Sequence, residues 1–178
     1  MGTLDHVADL FGVKRVRDYL EHPDPKAGES LEIKGYMQTH SYTCGAIAGW
    51  MVVESIWPRR SFERFFRLVS PDSVTGTSTT KLIKALRQSS IGVSRRAPTF
   101  ANIKKAIRSG FPIIASIDRP GMDYDHWIVI YGYSLHPSRI YVAGNRFGRL
   151  VSPGVLDYAE FNSLCNEKLM VCYGVLRS

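Results

Sequence analysis

At 178 residues with 44% apolar and 22% charged side chains, the chain fits one globular domain with a real core, and no second full domain is expected. Its formal charge of +7 is spread along the sequence without a basic tract, a Gly-x-x-x-x-Gly-Lys phosphate loop or a dinucleotide fingerprint, which argues for a solvated basic surface and against a nucleic-acid partner. Cys44, Cys165 and Cys172 are too few for a disulfide scaffold and lack C-x-x-C spacing, and no apolar run reaches spanning length, so the expectation is free thiols, no metal, no cofactor, no membrane and a cytoplasmic location.

Residues 4–20 read as one or two short amphipathic helices bent near Gly12, ended by His22-Pro-Asp-Pro-Lys-Ala-Gly28. Residues 1–28 are therefore expected to form an N-terminal helical extension, and residues 29–178 the main domain. Ile33 to Thr39 is expected to be extended and to deliver the chain to Cys44. From Ala46 to Trp57 the only charge is Glu54, and apolar groups lie nearly all round the helical wheel, so this helix belongs inside the protein and stops at Trp57-Pro58. Ser61 caps a second helix with Phe62, Phe65 and Phe66 inward; a loop spans Pro71 to Gly76; a third helix carries Leu82, Ile83 and Leu86. A short strand near Ile91–Ser94 and a Thr99-capped helix ending at Gly110 follow, and then a buried strand at Pro112–Asp118. Tyr124–Tyr133 is rich in β-branched and aromatic residues, as a central strand should be, and Arg139–Asn145 is its hairpin partner. Residues 155–164 read as helix and Leu169–Leu176 as a last strand. Helices first and strands afterwards give an α+β domain, an antiparallel sheet against a helical half.

Three polar residues fall at element ends: Cys44 at a helix start, His126 at a strand start and Asn145 at the end of the next strand. A helix N-terminus favours thiolate over thiol and so makes a usable nucleophile of a cysteine. Such a nucleophile needs a base within reach and a third group to hold the imidazole, roles that suit His126 and Asn145. In an antiparallel hairpin the start of one strand lies beside the end of the other, which brings Asn145 next to His126. Gln38, on the approach to Cys44, carries an amide able to donate to a developing oxyanion, and Gly45 leaves room for a substrate backbone. Each of these taken alone has a plainer reading: Cys44 as a small core residue, His126 as a core histidine, Asn145 as a turn residue, Gln38 as a surface polar group. Four together, each at an element end, favour catalysis. Asp123 and Asp125 flank the histidine, but strand alternation sends Asp125 to the opposite face. His6, His22, His40 and His136 lack ligand spacing, although His40 is close enough in sequence to border the cleft.

The segments Gln38…Tyr42-Thr-Cys44-Gly45-Ala, Gly110-Phe-Pro-Ile-Ile-Ala, His126-Trp-Ile-Val-Ile-Tyr-Gly-Tyr and Ile140-Tyr-Val-Ala-Gly-Asn145-Arg-Phe-Gly148 resemble the papain-like bacterial peptidases that process bacteriocins after double-glycine leaders. The resemblance covers about residues 34–175. It implies the papain-like cysteine proteinase fold, with Gln38 as oxyanion donor, Cys44 as nucleophile, His126 as base and Asn145 as orienting residue; Tyr42, Gly45 and Trp127 are the expected substrate contacts. In leader-processing members the third position is usually aspartate in an Asp-Pro pair, whereas this chain has Asn145-Arg146, closer to the Cys-His-Asn set of papain-like proteases generally. The function implied is hydrolysis of an amide bond in a peptide or protein substrate through a thioester acyl-enzyme. Acyl or peptidyl transfer, or amidase action, on the same residues is the alternative, with a non-catalytic peptide-binding module as a third. The membrane and nucleotide-binding domains of transporter-attached members are not expected here.

Overall fold

The longest apolar run in the chain becomes its central helix. In a computed structural model of the protein, describing residues 13–17, 28–38, 40–118, 125–144, 154–165 and 167–175, helix α1 (Cys44–Ile56) is buried from Cys44 through Glu54. For residues 13–17, 37, 38 and 41 the description is of the backbone. The helix ends where Trp57 leaves helical geometry ahead of Pro58, with the Trp57 indole N–H donating to the Ser90 carbonyl at 3.1 Å.

Two amphipathic helices pack beside α1. Helix α2 (Phe62–Val69) starts where the Ser61 hydroxyl accepts from the Arg64 N–H at 3.3 Å, and it buries Phe62, Phe65, Phe66 and Val69. Helix α3 (Thr79–Gln88) is capped in the same way by Ser78 and buries Leu82, Ala85 and Leu86. The side chains of Phe65 and Leu82 meet α1 at Gly49, where a Cβ would lie 2.7 Å and 2.8 Å from them.

The sheet covers the opposite side of α1. Its strands are β2 (Gly28–Ser30), β4 (Ile91–Arg96), β5 (Ile113–Ile117), β6 (His126–Ser134), β7 (Arg139–Ala143), β8 (Gly154–Asp157) and β9 (Leu169–Gly174), all pairing antiparallel in the order β4-β9-β5-β6-β7-β8, with β2 on β6. Helix α4 (Phe100–Arg108), capped by Thr99, precedes Gly110, whose φ of +78° makes the turn into β5. Helix α5 (Tyr158–Leu164) follows β8. Strand β1 (Val13–Arg17) pairs with β3 (Gly35–Gln38) in a separate two-stranded ribbon.

Alternation along the strands sorts the core into two layers. Ile114, Trp127, Val129, Tyr131, Met170 and Cys172 face α1 and its neighbours. Ile113, Ala115, Ile128, Ile130, Leu169 and Val171 pack with Ile103, Ala106 and Ile107 of α4 and Phe161 of α5. A bulge between Ile130 and Gly132 resets this parity, so Tyr131 lies in the first layer and Tyr133 in the second. Position 132 must stay small, since a Cβ there would sit 2.7 Å from the Tyr141 ring.

The α+β architecture agrees with the sequence reading, and two local assignments change. Residues 13–17 form a strand rather than helix: Val13-Lys-Arg-Val-Arg has an i, i+3 apolar pair that suits a helix, but β3 supplies a distant partner for its backbone. Residues 155–157 extend β8 against β7, and the helix begins only at Tyr158. The remainder of the expected N-terminal helices, and the turn after Asp118, lie outside the described residues. The expected boundary at residue 28 falls on the first residue of β2, a member of the main sheet.

Candidate active site

Cys44 is the first residue of α1 and is 5% exposed. A single 3-10 turn (Ser41–Thr43) leads into it, and the Thr43 hydroxyl donates back to the His40 carbonyl at 2.8 Å instead of capping the helix. The positive end of the helix dipole is therefore not offset by a Thr43 cap or by an acidic residue in the first turn, and it acts on the thiol.

The thiol residue opens onto a cleft of about 970 Å³. One wall is Tyr42, Cys44 and the segment Ser73–Thr79; the other is Ser116, Asp118, Asp125, Trp127 and Glu167. The first wall holds its shape through Asp72, whose carboxylate accepts from the Val74 and Thr75 N–H groups at 2.8 Å each. These bonds hold the Asp72 carboxyl below its usual range. The Trp127 indole N–H donates to the Thr77 carbonyl at 3.0 Å, which ties two lining residues together. Thr77 is 5% exposed, and its hydroxyl is buried with no hydrogen-bond partner among the described residues.

Gly45 has a role the sequence does not reveal. A Cβ there would lie 2.6 Å from Thr77 Cβ, 2.9 Å from Thr77 Cγ2 and 2.8 Å from Trp127 Cδ1. The bare Cα thus lets Thr77 and Trp127 close against the start of α1.

Trp127 and Tyr42 line the cleft with Cys44, as a substrate contact would. His40 stacks on Tyr42 with ring centroids 5.4 Å apart and is not itself among the lining residues. His126 is the first residue of β6, is 3% exposed and pairs with Ile117. Its neighbours Asp125 and Trp127 both line the cleft, whereas His126 takes the register row of Ile128 and Ile130 at the extreme end of the strand. Asp125 is on the Cys44 side, and its carboxylate accepts from the Ser116 hydroxyl at 3.3 Å. Gln38 closes β3 opposite Val13, with its backbone alone described, and Asn145 falls outside the described residues.

Among the described residues the lining includes three carboxylates and no cation, in a chain with a formal charge of +7. Glu167 is held by Arg95 and the Thr79 hydroxyl, both at 3.2 Å. Ser116, Thr77, Asp118 and Glu167 escape sequence reasoning because their partners are far away in the chain. The other thiols are set apart chemically. Burial pushes Cys172 up to about 12, and burial raises Cys165 despite its bond to the Glu167 carbonyl. Among the described residues, no group of three His, Cys, Asp or Glu side chains gathers to hold a metal ion, and no helix is long and apolar enough to cross a membrane.

No protein-family model and no curated protein sequence matches the chain. Solved structures do. A double glycine motif protease from an AMS/PCAT transporter, in complex with the leader peptide, superposes with a TM-score of 0.64 at 16% identity, over 83% of this chain and 95% of that one. The peptidase domain of Streptococcus ComA, a bi-functional ABC transporter of a quorum-sensing pathway, gives 0.63 at 13% identity, over 83% and 98%. The peptidase domain of Streptococcus mutans ComA gives 0.51 at 14%, over 71% and 90%. What these proteins share with the chain is architecture: it has the papain-like α+β fold of transporter peptidase domains, with an antiparallel sheet packed on a buried helix that begins at Cys44.

Proposed function

We propose that the protein is a cysteine peptidase that cleaves a peptide amide bond in the cleft beside Cys44. The observation that carries this reading is the position of Cys44, the first residue of a buried helix and part of the wall of a 970 Å³ cleft, in a fold shared with solved peptidase domains. In the proposed reaction the Cys44 thiolate attacks the scissile carbonyl carbon, and the Cys44 main-chain N–H with the Gln38 amide holds the oxyanion. His126, its ring turned round the start of β6 to the Cys44 side, gives its proton to the leaving amine as the C–N bond breaks, which leaves a thioester. Water, deprotonated by His126, then releases the acid and regenerates the thiol.

Asn145 is assigned to orient the imidazole. The hairpin register supports this: the pairing Val129↔Ala143 puts the start of β6 at the end where the chain leaves β7, with Asn145 two residues beyond Ala143 and His126 three before Val129. A neutral amide orients imidazole but stabilises imidazolium less than a carboxylate does. The double glycine motif protease of similar fold holds a leader peptide, so a double-glycine junction is the first substrate to try. Incubation with a synthetic double-glycine leader, followed by mass spectrometry, is expected to show two fragments. Cys44→Ala and His126→Ala are expected to abolish cleavage, and full cleavage by either purified variant would reject the assignment.

A further inference from the structure

Glu54 is the one charged residue of α1, and it is buried, 4% exposed, among apolar neighbours. Its carboxylate accepts from the Tyr36 hydroxyl and from Lys34 Nζ, the latter at 3.0 Å. Tyr36 is 4% exposed and lies in β3; Lys34 directly precedes that strand. Residues 34 and 36 are one pleat repeat apart, so both reach the same side of the chain, where α1 lies. One further repeat along β3 is position 38.

The strand needs such a tie. Its described strand partner is β1, and that two-stranded ribbon is separate from the seven-stranded sheet. An isolated two-stranded ribbon is marginal by itself, so the setting of β3 against α1 depends on side chains. An apolar pair would hold the two elements together at least as well, because a buried ion pair is weak evidence for stability. What hydrogen bonds to a carboxylate add is direction: the Tyr36 hydroxyl and the Lys34 ammonium meet two different oxygens of one fixed group.

Building on the peptidase reading, we infer that Glu54 is a positioning residue for the reaction: through Tyr36 and Lys34 it holds β3 in one setting against the nucleophile helix and so places position 38 for oxyanion binding. Glu54 lies ten residues beyond Cys44, about 15 Å along the helix at about 1.5 Å per residue, so it acts on the strand and not on the thiol.

The test is a double-mutant cycle. Tyr36→Phe removes one hydroxyl and keeps the ring, Glu54→Gln removes the charge, and each is measured alone and in a Gln38→Ala background. Turnover is expressed per reactive thiol, counted by iodoacetamide. Loss of an oxyanion donor lowers turnover roughly a hundred- to thousandfold, and a misplaced one costs part of that. The expected result is a roughly ten- to hundredfold fall in kcat for Tyr36→Phe. KM and the rate of Cys44 alkylation stay within about twofold, and in the Gln38→Ala background Tyr36→Phe has no further effect. The same fold-loss in both backgrounds, or unchanged kcat in both single variants, overturns the inference. A purely structural role would lower the melting temperature and the count of reactive thiols and leave kcat per thiol alone, which also overturns it. If Tyr36→Phe fails to fold, Lys34→Met, at a partly exposed position, takes its place under the same criteria. Failure of the peptidase reading looks different: the wild type then shows no Cys44-dependent cleavage, and the inference falls with it.

Discussion

Replacing Gly45 with alanine separates two explanations for the glycine beside the nucleophile. If the position is open for substrate, an added methyl group raises KM and leaves the free protein unaltered. The structure instead places the new Cβ 2.6 Å from Thr77 Cβ, so that contact must open by about 0.8 Å to reach the ordinary 3.4 Å. The nearest atom is a Cβ fixed to the backbone, so a rotamer change at Thr77 does not relieve the clash; the Ser73–Thr79 wall has to retreat, pulling on the Trp127–Thr77 hydrogen bond. Overpacking of this kind costs about 1–3 kcal/mol, offset by up to about 1 kcal/mol from the better helix propensity of alanine. A net loss of about 1–2 kcal/mol corresponds to a fall of roughly 2–8 °C in melting temperature for a chain of this size. Because displacement of about 1 Å at a reacting centre can cost a hundredfold in rate, cleavage is expected to fall by tens-fold. Differential scanning fluorimetry and a peptide-cleavage assay on the same preparation provide both numbers. A Gly45→Ala protein with wild-type melting temperature and kcat but a raised KM would refute the packing argument and restore the substrate-access one.

Asp125→Asn tests the neighbour of the proposed base. With His126 as base and Asp125 a cleft-wall acceptor for Ser116, turnover should fall less than tenfold, whereas a loss as large as that of His126→Ala would transfer the role of imidazole partner to Asp125. Alkylation at pH 7.5 followed by peptide mapping should label Cys44 first, because burial raises both Cys165 and Cys172 and leaves little thiolate at either. Cys172 also sets an alkaline limit. Its folded-state value of about 12 lies above its ordinary value near 9, so the folded state keeps a proton that the unfolded state releases. Stability is complete below pH 9 and declines as pH rises towards 12, by up to about 4 kcal/mol at about 1.4 kcal/mol per pH unit. Urea melts at pH 8 and pH 11 should show a decline that Cys172→Ala flattens. Thr99→Ala, which removes the acceptor for the Asn102 N–H at 3.2 Å, should cost about 1 kcal/mol in the same melts without altering cleavage.

Local chemistry made much of the helical half readable in advance. Ser61, Ser78 and Thr99 cap the helices that begin after them, and the apolar run after Cys44 could be placed nowhere except in the interior. Where two local readings compete, a distant partner decides. Val13–Arg17 and Val155–Asp157 become strands because β3 and β7 offer backbone donors and acceptors that no spacing rule sees. The same limit applies to the site. The place of Cys44 at a helix start could be read in advance, but not the carboxylates of Asp118 and Glu167 on the same cleft, nor Thr77 packed against Gly45. Glu54 stood out as a lone charge, and its partners Tyr36 and Lys34 precede it by 18 and 20 residues.

The strand order has a temporal consequence. β9 occupies the slot between β4 and β5, though it is made some 50 residues after β5 ends. Until Leu169–Gly174 has left the ribosome, β4 lacks its sheet partner and one edge of β5 stays open, with the apolar side chains of both layers uncovered around the gap. Completion of the sheet is thus a late, long-range event, of the kind that slows folding and leaves nascent chains in need of shielding from one another. The sulfur at position 44 cannot acquire its finished surroundings before the closing strand has docked.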